Sequence, residues 1–150
     1  MAIEYIPVMQ YPRAGMIVFE SGPYMGLVGV GQTPVAASQQ LIENFRDQLD
    51  NDFRISNGRC VPAPIETPGW TDCYASVPPS LTLKIMLVNY MIENEITTAQ
   101  LARRMGIVRQ LSQRIVDFRH VTKLDTLADA FYACGLKLSM KILPIRQAAY

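Results

Sequence analysis

Histidine and cysteine are scarce in this 150-residue chain, with one of the first and three of the second. His120, Cys60, Cys73 and Cys134 match no zinc spacing, and three irregularly placed thiols are too few for a disulfide framework, so no metal or cofactor is expected and the cysteines read as reduced. No apolar stretch approaches the roughly 20 residues that span a bilayer. Acidic Glu4 and an early Pro7 stand where a secretory signal would be basic and then apolar, which points to the cytoplasm. Internal repeats and low-complexity segments are also lacking. Lysine is missing from the first 80 residues altogether, and that absence is the most informative one.

Those 80 residues hold four arginines and eight carboxylates, a balance of −4, whereas residues 81–150 hold ten basic and five acidic residues, a balance of +5. The net charge of +1 conceals the division. A positive half suits a polyanion such as DNA, and a negative half suits a basic protein and repels nucleic acid. A hydrophobic content of 49% supplies a core for one domain or two small ones.

Up to Gly31 short apolar runs alternate with Gly and Pro. Ile3 to Met9, Met16 to Phe19 and Met25 to Val30 read as three strands of an antiparallel meander. Thr33 followed by Pro34 is a helix start, since a hydroxyl caps free amides and proline suits the first helical position. Ala37, Leu41, Ile42, Phe45 and Leu49 then recur at helical spacing, which predicts an amphipathic helix from about Pro34 to Asp50. Pro62, Pro64, Pro68, Pro78 and Pro79 mark a linker, within which Trp70 to Val77 favours one further strand. Ser80 opens a helix with Leu83, Leu87 and Tyr90 or Met91 inward, ending near Asn94. Helices over Thr98 to Met105, Arg109 to Phe118 and Leu124 to Cys134 follow, with Gly106 and Gly135 as terminators. Leu136, Leu138, Met140 and Ile142 alternate with Lys137, Ser139 and Lys141, the period of a closing strand.

Residues Ile96 to Ile115 have the layout of a helix-turn-helix of the lambda-repressor-like kind. Ala102 is small where two helices touch, Gly106 tolerates the turn, and Leu101, Met105 and Ile115 face inward. Arg109, Gln110, Gln113 and Arg114 face outward and are types able to contact base edges in the major groove. Thr98, Gln100, Arg119, His120 and Lys123 join them as candidate DNA contacts, the last three suited to phosphates. Val108 stands where a Ser, Thr or Pro commonly starts the second helix, and Ser112 where an apolar residue is usual, which leaves the register open by one residue.

From about Val77 to Ile142 the chain resembles the C-terminal half of a HicB antitoxin. The likeness rests on Val-Pro-Pro-Ser before an apolar helix, Glu95 to Gly106, His120-Val-Thr-Lys-Leu-Asp125, and Cys134-Gly-Leu-Lys-Leu138. Ile3 to Val8, the short strands and Gly31-Gln-Thr33 resemble the degraded RNase H-like domain of that family. The resemblance implies an α+β chain with a partial RNase H-like βββαβ domain over residues 1–77, and an all-α helix-turn-helix domain with a short closing strand over residues 78–150. It implies a HicA-type toxin that cleaves mRNA as partner, occluded by the first domain, and repression of the shared operon by operator binding.

The acidic helix face of Glu43, Asp47 and Asp50 is the candidate toxin contact. A nuclease centre of Glu4, Glu20, Glu43 and Asp47 is disfavoured, because two-metal chemistry needs several carboxylates converging from central strands, so no enzyme is expected. A free-standing regulator whose first domain senses a small ligand is the competing reading. A homodimer or higher oligomer is expected from the paired half-sites that such regulators bind, its contact supplied by Leu127, Phe131, Leu136 and the closing strand.

Overall fold

The Gly and Pro punctuation of the first 31 residues resolves into β1 (Tyr5–Arg13), β2 (Met16–Ser21) and β3 (Val28–Gly31), and the linker supplies β4 (Cys73–Ser76). This computed structural model describes residues 2–150. Ala14 and Gly15, both at positive φ, make the two-residue turn between β1 and β2 whose twist matches that of the strands. The sheet is antiparallel with strand order β3-β2-β1-β4. β1 continues through Pro12, past the expected end at Met9. β4 pairs β1 only as far as Val8, so Pro12 owes a ladder bond to no strand on that side.

Helix α1 (Pro34–Phe53) starts where expected, with Thr33 Oγ1 accepting from the Ala36 amide at 3.1 Å, and runs one turn further than Asp50. Ala37, Leu41, Ile42, Phe45 and Leu49 are its buried stripe. The helix lies so close to β3 that a Cβ at Gly29 would strike the Ala37 carbonyl and come within 2.5 Å of the Leu41 amide. Polar side chains of α1 meanwhile close the outer edge of β3 and hold the segment just before it. Gln40 Oε1 accepts from the Val30 amide at 2.6 Å, Asn44 Nδ2 donates to the Val28 carbonyl at 2.7 Å, and Gln48 Nε2 donates to the Met25 carbonyl at 3.0 Å. The chain's last residues close the β4 edge, through Tyr74 N–H to the Ala148 carbonyl and Tyr150 N–H to the Tyr74 carbonyl, both 2.9 Å.

Among the described residues four more α-helices follow: α2 (Pro79–Glu93), α3 (Thr98–Met105), α4 (Arg109–Ile115) and α5 (Leu124–Ala133). The fold is therefore α+β. Two compact units divide it. A sheet unit takes Ile3–Gln48, Pro62–Pro78 and Leu143–Tyr150, and a helical unit takes Leu49–Val61 and Pro79–Ile142. No helix among the described residues is long and apolar enough to cross a membrane.

Four sequence expectations need correction in the helical unit. The segment after Gly135 is not a strand. Residues 136–142 belong to no strand, and the backbone pairing at the chain's end falls instead on Ala148–Tyr150. Leu127 and Phe131 are buried inside the unit and are not available as an outer apolar patch. Helix α4 stops at Ile115 instead of Phe118, and α2 buries Leu87 and Met91 as expected but leaves Leu83 half-buried, with Leu81, Lys84, Ile85 and Val88 turned inward.

Candidate functional site

Helix α3 is held at its start by a reciprocal cap. Thr97 Oγ1 accepts from the Gln100 amide at 3.1 Å, and Gln100 Oε1 accepts from the Thr97 amide at 2.9 Å, an arrangement contributing about 0.5–2 kcal/mol. Gln100, a candidate DNA contact, therefore has its carbonyl oxygen engaged, which leaves its amide nitrogen to act as a donor. Thr98 beside it is half-buried. At the other end Gly106 adopts the left-handed conformation (φ 68°), which brings the Ile107 amide back onto the Ala102 carbonyl at 3.0 Å. Only Val108 then separates Ile107 from α4.

On α4 the register is resolved. Ser112 and Ile115 are buried while Leu111 is exposed, and the Ser112 hydroxyl donates to the Arg109 carbonyl at 2.8 Å. A polar residue occupies the inward position without penalty because its hydroxyl is satisfied within its own helix. Arg109, Gln110, Gln113 and Arg114 all lie exposed on the remaining faces. No side chain caps the start of the helix, consistent with Val108 at that position.

The turn after α4 is organised by a residue that sequence reasoning passed over. Lys84 of α2 is 1% exposed, and its Nζ donates to the carbonyls of Asp117 (2.7 Å), Arg114 (3.4 Å) and His120. An ammonium carries three protons, and three carbonyls receive them. The Arg114 carbonyl, which also accepts from the Asp117 amide at 3.3 Å, lies where α4 ends, so the buried cation adds to the cap of the helix and fixes the turn that presents Arg119 and His120. A signal was present in the sequence: Lys84 falls between Leu81 and Ile85 on the apolar face of α2. Arg119 and His120 are exposed, as is Lys123 at the start of α5. The His120 ring nitrogen Nδ1 lies 3.3 Å from Thr122 Oγ1.

The acidic trio of α1 does not form one free surface. Glu43 is exposed beside an open cavity of about 290 Å³ lined by Val35, Ser38, Ile42, Arg46 and Tyr150 among others. Asp47 is exposed as well. Asp50 instead belongs to the helical unit, where its carboxylate meets Arg54 at 3.1 Å and Arg119 at 3.4 Å. Glu20 accepts from the Tyr11 hydroxyl at 3.0 Å. The described residues hold no group of three His, Cys, Asp or Glu side chains placed to bind a metal ion. The three cysteines are free, and burial pushes the Cys73 thiol up to about 11, with Asp72 adding to the effect.

No family model matches the chain. Antitoxin HicB of Escherichia coli strain K12 is 32% identical over 139 residues, 88% of this chain and 98% of that relative. The chain belongs to the HicB antitoxin family. Antitoxin HicB 1 of Photorhabdus laumondii subsp. laumondii is 29% identical over 136 residues, 89% of this chain and 87% of the relative. Antitoxin HicB 2 of the same organism is 38% identical over 89 residues, but that match spans 59% of this chain and 62% of the relative. A likeness to HicB over 88% of the chain is too long to be confined to either unit, so both contribute to it.

Proposed function

We propose that this HicB-family chain binds and occludes a HicA-type toxin through its sheet unit and represses its own operon through its helical unit, acting as a dimer on operator DNA. In this reading α3 and α4 are the two helices of a helix-turn-helix and α4 enters the major groove. The observation that carries it is the exposed set Arg109, Gln110, Gln113 and Arg114 on a helix whose inward side, Ser112 and Ile115, is fully packed. Arginine to guanine and glutamine to adenine are the side-chain pairings with the most selective base-edge geometry. Arg103, Arg104, Arg119, His120 and Lys123 are exposed and supply phosphate contacts that set the register without reading sequence. The partial RNase H-like sheet unit acts without catalysis and presents Glu43 and Asp47 to a basic toxin. Support for the antitoxin role comes from the relatives named antitoxin HicB.

A gel-shift titration with the DNA upstream of the operon, run beside a growth assay in which the chain rescues cells from the toxin, tests both halves. Glu43→Lys with Asp47→Lys is expected to weaken rescue and leave the DNA shift intact. Unchanged rescue would move the toxin contact off α1, and since both edges of the sheet are already occupied, its outer face would become the alternative.

A further inference from the structure

Two apolar side chains stand in solvent on the otherwise polar outer surface of α3 and α4. From Thr98 to Ile115, Val108 and Leu111 are the large apolar residues left exposed, at 59% and 45%, whereas Leu101 and Ile115 are buried. They are neighbours at the start of α4, where the Leu111 amide donates to the Val108 carbonyl at 3.1 Å. Packing within the unit explains neither. Val108 also forgoes the hydrogen bond with which a Ser or Thr would cap the helix, and α4 has no side-chain cap. Arg109, Gln110, Gln113 and Arg114 surround the pair, Arg103 and Arg104 lie exposed on α3, and no carboxylate occurs from Ile96 to Val116. The surface is cationic and apolar at once.

We infer that Val108 and Leu111 read thymine, by packing against the C5-methyl group that this base alone presents in the major groove of DNA. The inference rests on the proposal above that α4 enters the groove, and it adds to the hydrogen-bonding side chains of that helix two that select by apolar contact. Charge and apolarity together name the occupant. Four arginines without a carboxylate among them call for a polyanion. Phosphates alone would leave the valine and the leucine without a partner, and the groove edges of guanine, adenine and cytosine are polar, so the thymine methyl is the apolar feature left to meet them. The placement agrees, because residues at the start of a recognition helix are those that reach base edges, and Val108 and Leu111 occupy the cap position and the first turn. Branching at Cβ restricts the valine side chain, so its methyl groups are held in place at little cost in entropy.

Deoxyuridine pairs with adenine as thymidine does and lacks only the methyl group, which makes the test specific. The full chain selects a duplex from a randomised pool, and each thymine of the selected duplex is then replaced singly by uracil. At least one replacement is expected to weaken binding about fourfold, the worth of one buried methyl group. The same replacement is expected to leave the affinity of the Val108→Ser, Leu111→Ala double variant unchanged, because the side chains that sensed the methyl are gone. Titration at low salt keeps the variant's binding measurable, and a thermal melt is expected to show its fold intact, since both positions are exposed and serine supplies the missing cap. A selected duplex in which no thymine responds to replacement would overturn thymine reading and leave DNA binding standing. Positions that respond equally in the double variant would overturn the assignment to Val108 and Leu111. Failure to select any sequence would instead overturn the placement of α4 in the groove, and this inference with it.

Discussion

The Arg119 guanidinium lies 3.4 Å from the Asp50 carboxylate, so a residue proposed to touch DNA is tied to one that the sequence assigns to the toxin. Both belong to the helical unit, and Asp50 also holds Arg54. Asp50→Asn is therefore expected to act inside that unit. The loss of the two pairs is worth about 0.2–1 kcal/mol each at this exposure, readable as a lower melting temperature. Toxin rescue is expected to be unchanged, and a rescue defect with normal melting would return Asp50 to the toxin surface.

Replacing Gln110 and Arg114 with alanine is expected to abolish operator recognition without loss of fold. Each lost base contact costs about 1–3 kcal/mol, enough together to bring specific binding toward the nonspecific level. Stability changes by less than about 0.5 kcal/mol, because both side chains stand in solvent. Gel shifts on operator and scrambled DNA, with a thermal melt beside them, check this. Full operator binding by the double variant would remove α4 from the groove.

Alanine at Arg103, Arg104 or Lys123 is expected to behave differently, weakening binding to every DNA sequence alike. Each lost phosphate contact also lowers the slope of log affinity against log salt by about 0.9. Titrations at several salt concentrations separate these residues from base-reading ones.

Lys84→Met keeps the stem and removes the cation. Three carbonyls lose the ammonium, the Arg114 and Asp117 carbonyls keeping a backbone donor each, and the cost is expected at about 1–3 kcal/mol of stability, with faster amide exchange localised to residues 116–120. Protection unchanged across that turn would mean that Phe118 packing alone holds it.

How much of this was legible in the sequence depends on how local each cause is. The Thr33-Pro34 start, the Ala37 to Leu49 stripe and the Gly106 turn are set by neighbours within a few residues, and each appears where its residues indicated. Ser112 was ambiguous because its solution is a single hydrogen bond to Arg109, which no pattern of polarity announces. Lys84 reaches carbonyls 30 to 36 residues away, and Asp50 reaches Arg119 across 69 residues of chain, so only the folded chain joins them. The alternation after Gly135 reads as a strand and forms none, because a period-two pattern supplies a suitable face but not the partner that a strand needs.

Burial holds the Cys73 thiol at about 11, well above neutrality. Below that value the thiol stays protonated in the folded chain, so alkylation of Cys73 by iodoacetamide at about pH 8 is expected to be slow until denaturant is added. Half-buried Cys60 is expected to react first, and mass spectrometry of timed samples orders the two.

Gln40, Asn44 and Gln48 recur every fourth residue along α1; the first two meet the β3 backbone and the third the Met25 carbonyl before it, while Ala148 and Tyr150 meet the backbone of β4. A sheet sealed at both sides cannot recruit further strands, whether from a neighbour's sheet or from a growing fibril. Antitoxin made in excess of its partner would on this account stay dispersed, and leucine in place of those three amides would convert a stockpile that persists in solution into one that precipitates.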